Sequence, residues 1–397
     1  MLALRAARGF DGEQMLADGV TVLMDDGRIV GVESGWPEVG ERWQVLEFAD
    51  ATVLPGLIDT HVHLGGDSEN GALERLAEYP DDKLDAVIEA GLRRHVAAGV
   101  TTVRDLGDRR WSVLGWRERR RAGDVGFACP TIVASGPPVT SVGGHCWSMG
   151  GAVEGADELI AAVGERAERG VDVVKVMASG GNATPGTDVM SCQFSLDEQR
   201  LVVAEGHRLG LPVTAHAHGL PAVEQAIAAG VDGIEHCSCV TETGVEMSDA
   251  LLGSLADSRI LVCPTLGKTP GAVPPPAVVE MMRRTGMTWE ARLHSVGRMY
   301  EHGVRLVSGT DGGISTGKPH GILPFAIADL VEGGVPLAAA LASATSEAAS
   351  TCGLGDRKGR LRPGWDADLL VAGGDLAVDI AALGRVRAVV VGGVVGG

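Results

Sequence analysis

An α/β chain forming a closed (β/α)8 barrel, carried on a small β-sandwich domain built from both chain ends, is the architecture this sequence predicts. Three observations predict it. Four stretches repeat one grammar of helix, glycine and strand, ionisable residues recur at the ends of those strands, and the two termini read instead as short strands joined by turn glycines.

The elements follow in order. Near the start, "DGVTVLMDDGRIVGVES" (18–34) is two short strands around the turn Asp25-Asp26-Gly27. The apolar run "LPGLIDTHVHLGGD" (54–67) then supplies a first central strand, and "DDKLDAVIEAGLRRHVAAG" after it places Leu84, Val87, Ile88, Leu92 and Val96 at helical spacing. In "AAGVTTVRDLG" (97–107), "ERGVDVVKVMASGG" (168–181), "AAGVDGIEHCS" (228–238) and "EHGVRLVSGTDGG" (301–313) a helix stops at a glycine, where a left-handed residue closes it. A strand rich in branched residues begins just after. "LDEQRLVVAEGHRLG" (196–210) and "PAVEQAIAAG" (221–230) read as helices flanking the strand "LPVTAHAHG" (211–219). With "PTIVASG" (130–136) and "RILVCPT" (259–265) the count reaches eight strands separated by helices, the pattern of a barrel whose active site lies at the carboxyl ends of its strands. "GRLRPGWDADLLVAGGD" (359–375) and "RVRAVVVGGVV" (385–395) return to short strands with turn glycines. The expected division is therefore a composite β-sandwich of residues 1–55 and 351–397 around a barrel of residues 56–350.

Composition narrows the function. The chain has 397 residues, and its 58 glycines, without a repeating triplet and with 45% hydrophobic residues, indicate tight turns rather than disorder. A formal net charge of −18 argues against nucleic acid as a partner, since phosphate binding needs clustered Lys and Arg. No polybasic run points to a membrane surface, and no segment has the length and apolarity of a secretion signal or a membrane span. The seven cysteines are scattered and odd in number, which argues against a disulfide framework. The expectation is a cytoplasmic protein acting on a small molecule, with a homo-oligomer left open.

The chemistry starts at His61 and His63. Side chains alternate along a strand, so these two imidazoles point to one side and Val62 to the other. Nitrogen ligands converging in this way suit zinc or another late first-row metal. Lys175, His216, His236 and Asp311 also fall on strand ends, and a barrel delivers side chains from separate strands to one axial point. Taken alone, each has an ordinary reading, such as a hydrogen-bonded core histidine or, for Lys175, an ion pair with a carboxylate such as Asp311. No Gly-X-Ser-X-Gly elbow offers a serine mechanism.

"PGLIDTHVH", "TAHAHG", "GIEHCS", "SGTDGG" and "GRLRPGWDADLLV" resemble, in order, the first-, fifth-, sixth- and eighth-strand motifs and the C-terminal return of the amidohydrolase superfamily. "VKVMASGGNATPGTD" beside "TAHAHG" is most similar to its prolidase-like and dipeptidase-like branch, relatives of imidazolonepropionase. The resemblance covers nearly the whole chain. It implies a TIM barrel holding two divalent metal ions, most simply zinc: His61, His63 and Asp311 on one, His216 and His236 on the other, and Lys175 bridging them after carboxylation by CO2. It further implies that the metals activate a bridging water, with Asp311 as general base and then general acid in hydrolysis of an amide C–N bond.

Around that set, His145 in "SVGGHCWSMGG" corresponds to family histidines that hydrogen-bond the substrate carbonyl. His218 lies on the same strand face as His216, to reach substrate or to orient a ligand. Asn182 and Thr184 on the loop 179–188, with His320 and Lys318 in "GKPHG", are further candidates for substrate contact. Arg104 and Asp105 read as an internal ion pair at the mouth, Cys237 and Cys239 as packing, and Trp147 as a pocket-lining aromatic. The leading expectation is a metal-dependent hydrolase of a dipeptide or N-acyl amino acid. Cyclic-amide hydrolysis, as in imidazolonepropionase, or heterocycle deamination is the second, and Lys175 weighs against it. A catalytically silent binding barrel is remote, because all six ligand positions are filled.

Overall fold

The structure, a computed structural model, describes residues 1–396. Strands from both ends of the chain lie in one eight-stranded sheet, in which Gln44–Pro55 runs parallel to Leu2–Phe10 and antiparallel to Leu369–Gly373. The last strands thus close onto one of the first. Leu4, Ala6, Val22, Val53, Leu369, Val371 and Val390 form a separate apolar core beneath this sheet. The hairpin turn expected at Asp25-Asp26-Gly27 is present, with Asp26 at φ 45° and Gly27 at φ 73°, the left-handed pair that suits a two-residue turn between right-twisted strands.

All eight expected central segments carry a strand: β1 (Leu57–Val62), β2 (Val100–Asp105), β3 (Thr131–Ala134), β4 (Val174–Met177), β5 (Val213–Gly219), β6 (Gly233–Thr241), β7 (Leu261–Cys263) and β8 (Arg305–Leu306). They form two parallel sheets, β1-β2-β3 and β4-β5-β6-β7-β8. Val139, just beyond β3, bridges to Val176 of β4. At the other edge Thr60 N–H donates to Ser308 O at 3.1 Å and Asp311 N–H to His61 O at 2.7 Å, so the segment after β8 is bonded back to β1.

The repeated grammar has the expected geometry. Gly99, Gly170, Gly230 and Gly303, which follow the helices, all have φ between 71° and 83°. A side chain there would meet its own backbone, so each glycine lets a helix end and a strand begin one to four residues later. The helix Asp81–Ala97 buries Leu84, Ile88 and Leu92 against the strands, each worth about 1.5–3 kcal/mol of burial. Ser195 and Glu198 form a reciprocal capping box that starts the helix Leu196–Arg208. Among the described residues no helix is long and apolar enough to cross a membrane.

Candidate metal centre

Apolar β1 carries His61 and His63 to the carboxyl ends of the parallel strands, where Asp311 arrives from the loop after β8. Asp311 Oδ1 lies 3.5 Å from His61 Nε2 and 3.3 Å from His63 Nε2. The other nitrogen of each ring is already engaged: His61 Nδ1 donates to Glu235 Oε2 at 2.8 Å, and His63 Nδ1 donates to the Gly107 carbonyl at 3.1 Å. Each therefore keeps its Nε2 lone pair for a shared point. Such outer hydrogen bonds fix the tautomer of a metal-binding imidazole.

A second group stands beside the first. His216 donates Nε2–H to the Gly180 carbonyl at 3.1 Å, leaving Nδ1, while His236 is bonded through Nδ1 to Thr265 Oγ1 at 2.8 Å, leaving Nε2. His218 is held through Nδ1 by Ser238 Oγ at 2.9 Å and stacks on His236, ring centres 4.3 Å apart. His216, His218 and His236 each bring a ligand atom close enough to share one ion, as do His61, His63 and Asp311. His61 and His236, at 5.3 Å between ring centres, join the two groups.

Lys175 reaches the same place from β4. It is 1% exposed, and its Nζ has no hydrogen-bond partner. Burial pulls its pKa down despite the nearby charges of Glu235 and Asp311, and it forms no ion pair with Asp311. A buried amine of this kind is costly as a lone ammonium. The orphaned nitrogen and the surrounding imidazole and carboxylate donors fit a metal centre.

Electrostatics sharpen the division of labour. Burial raises the pKa of the Asp311 carboxyl, but its close contacts with His63 and His61 outweigh it, holding it below the usual carboxylate range. Burial lowers His61 to about 4 and His145 and His218 to about 3, so the rings stay neutral and able to donate a lone pair. His236 and Asp311 have φ of 68° and 59°, a left-handed conformation that non-glycine residues adopt rarely and mostly where function holds them.

Glu235 was not among the sequence candidates. Strict alternation along β6 turns it away from His236, but the left-handed backbone at His236 breaks the pleat, and both side chains serve the centre. Its buried carboxylate accepts from His61 Nδ1, from Arg104 Nη2 at 3.0 Å and from Thr214 Oγ1 at 2.7 Å. Burial raises its pKa, but Arg104, His61 and Lys175 together carry it below the normal range. The expected pairing of Arg104 with Asp105 is replaced by this one. Asp105 instead accepts the Leu64 N–H at 2.7 Å and the Gly107 N–H at 3.1 Å, which shapes the turn below His63.

The remaining candidates separate by position. His145 lies against His216, ring centres 4.6 Å apart, and Thr184 Oγ1 is 3.0 Å from its Nδ1. Asn182 is half-buried in the same covering loop, whereas Trp147 is 52% exposed. Lys318 donates Nζ–H to the Thr265 and Leu266 carbonyls at 2.6 and 3.0 Å. His320 is not brought to the cluster: its Nδ1 is bonded to His95 Nε2 at 3.2 Å and its Nε2 to the Gly66 carbonyl at 2.9 Å. Cys237 and Cys239 are buried in the core.

With this geometry in place, the similarities to known proteins can be read. A family model described as the amidohydrolase family matches residues 52–396. Ochratoxinase from Aspergillus niger is 26% identical over 390 residues, covering 91% of this chain and 78% of its own. Imidazolonepropionase from Salinispora tropica is 28% identical over 372 residues, covering 88% and 84%. The crystal structure of a Xaa-Pro dipeptidase with methionine bound in its active site superposes with a TM-score of 0.85 at 26% identity, over 99% of both chains.

Proposed function

The chain belongs to the amidohydrolase family, and on that premise we propose that it is a metal-dependent hydrolase cleaving the amide C–N bond of a small substrate such as a dipeptide or an N-acyl amino acid. The observation that carries this reading is the buried, unpartnered Lys175 Nζ set among imidazoles that each keep one nitrogen free. The frame is a closed (β/α)8 barrel of residues 56–350 on a composite β-sandwich of residues 1–55 and 351–397. Bonding of the segment after β8 back to β1 supports the closure.

In this reading His61, His63 and Asp311 would hold one divalent ion and His216 and His236 a second. Lys175, once carboxylated on Nζ by CO2 with loss of a proton, would add carbamate oxygens to the donor set. Zinc fits the imidazole-rich set. When bound, the ions supply Lewis acidity toward the scissile carbonyl and toward the attacking water. Asp311, ionised, takes a proton from that water on a carboxylate oxygen as the water oxygen bonds to the carbonyl carbon. It returns the proton to the departing nitrogen as the C–N bond breaks. His145 donates a hydrogen bond to the oxygen of the former carbonyl, where negative charge builds. Glu235 and Arg104 hold His61 in its tautomer. His218, Asn182 and Lys318 line the approach.

Similarity to imidazolonepropionase favours cyclic-amide hydrolysis as the second reading. The test is elemental analysis of protein purified without chelator, together with a panel of dipeptides, N-acyl amino acids, cyclic amides and ochratoxin. About two metals per chain with linear amide cleavage is the expected result. One metal with cleavage confined to cyclic amides selects the second reading, and absence of both metal and turnover after added zinc or manganese overturns the proposal. Replacing Lys175 by Ala is expected to lower metal content; full retention of metal and activity removes the carbamate.

A further inference from the structure

The loop that covers His145 touches it at one chemically informative atom. Its backbone is pinned at both ends: Thr140 Oγ1 donates to the His145 carbonyl at 2.7 Å, and Gln193 Oε1 accepts the His145 N–H. Gln193 is itself fixed, because its Nε2 donates to Thr140 Oγ1 at 3.1 Å and to the Met177 carbonyl of β4 at 2.8 Å. Gly181 packs so closely on the ring that a methyl group there would lie 2.4 Å from His145 Nε2. With the ring clamped in this way, the open question is which nitrogen carries the proton.

Thr184 answers it by hydrogen-bond accounting. Its Oγ1 has one proton and two lone pairs. One lone pair accepts the Cys146 N–H at 2.9 Å, and His145 Nδ1 lies at 3.0 Å, with the weakly bonding Cys146 thiol also beside the hydroxyl. If Nδ1 carried the imidazole proton, the threonine hydroxyl hydrogen would be left with the Cys146 sulfur, a poor acceptor, or with solvent at this half-buried position. If Nδ1 is bare, the hydroxyl donates to it and every group is satisfied. The proton of the neutral ring then sits on Nε2, whose other near neighbour is the Cys146 thiol at 3.6 Å, a weak partner that substrate can replace.

We propose that Thr184 is a positioning residue: its hydroxyl holds His145 in the Nε2–H tautomer and so makes that ring a hydrogen-bond donor toward the substrate carbonyl. The inference rests on the role given to His145 above, but the tautomer is measurable without substrate. Nothing is transferred covalently. Without the Thr184 donor the two neutral tautomers become closer in energy, and part of the population presents a lone pair, which repels an oxyanion.

The test uses the zinc-loaded full chain labelled with nitrogen-15 in histidine, with the His145 signal assigned by its loss in His145→Ala. The wild type is expected to show the Nε2–H form. Thr184→Val, which keeps the shape and removes the hydroxyl, is expected to shift the signal toward the other tautomer and to lower kcat on the fastest-cleaved panel substrate about 10- to 100-fold. Metal content should not change. Thr184→Ser should restore both signal and rate, and Thr184→Val added to His145→Ala should cost nothing further. An unchanged Nε2–H signal in Thr184→Val overturns the positioning role. A shifted tautomer with unchanged turnover overturns the catalytic half and, separately, the role of His145.

Discussion

Two groups of buried histidines lie in this molecule, and only one has the character of a metal centre. His61, His63, His216 and His236 each spend one ring nitrogen on an outer partner and keep the other. In the second group, His320 has both nitrogens engaged, by His95 and by the Gly66 carbonyl, and among the described residues no carboxylate or thiol joins the pair as a potential ligand. Burial is the leading cause of a lowered pKa in His61 and His320 alike, to about 4 in each. The difference teaches that depth and depressed basicity do not mark a ligand. The disposition of the second ring nitrogen does.

The largest effect that would test this contrast is at Asp311. Asp311→Asn keeps the shape but loses the proton-accepting oxygen, and kcat should fall by about 10^3. Substrate-independent metal content separates the two duties of the residue. Normal metal with near-normal kcat would remove the proton-transfer role and leave the first group a binding site only.

Next in size is Glu235, which orients His61 without touching substrate. Glu235→Gln removes the charge facing Arg104 and weakens the hydrogen bond that fixes the His61 tautomer, so metal affinity measured by competition with a chelator should drop about 10- to 100-fold. Unchanged affinity would mean that the outer partner does not matter, and the distinction between the histidine groups would lose its basis. Smaller again is Gly181→Ala, whose new methyl collides with the His145 ring. It should reduce kcat about tenfold through the donor proposed at the former carbonyl oxygen, with metal content unchanged.

These predictions also show what a sequence displays and what it hides. The four glycines ending helices, the His61-X-His63 spacing and the Asp26-Gly27 turn are local, decided within a few residues, and were readable in advance. Glu235 was not, because alternation assigns it to the face opposite His236, and only the left-handed backbone at His236 brings both to the centre. The partner of Arg104 was hidden by distance, since Glu235 lies 131 residues away while Asp105 is adjacent. His320 misled in the opposite sense: a histidine after the eighth strand reads as a mouth residue, yet its side chain turns toward the helix carrying His95. Contacts between loops and across strands depend on the assembled fold.

The smallest effect concerns that second pair and is read as stability, not activity. Burial first, and neighbouring positive charge after the opposing Gly66 bond, lower His320 from 6.5 to about 4. Below pH 6.5 the unfolded chain binds a proton at this position that the native chain refuses until about pH 4. Stability from this residue is therefore complete above 6.5 and is lost as the pH falls, by about 1.4 kcal/mol per pH unit. Gln at 320 cannot titrate but can still hydrogen-bond, so His320→Gln should make the decline of urea-unfolding free energy across this window shallower by one proton. Metal content and kcat should stay as in the wild type. An unaltered slope would show that His320 protonates freely in the native protein, and loss of metal would show that the two histidine groups act as one, which their separate hydrogen bonding argues against.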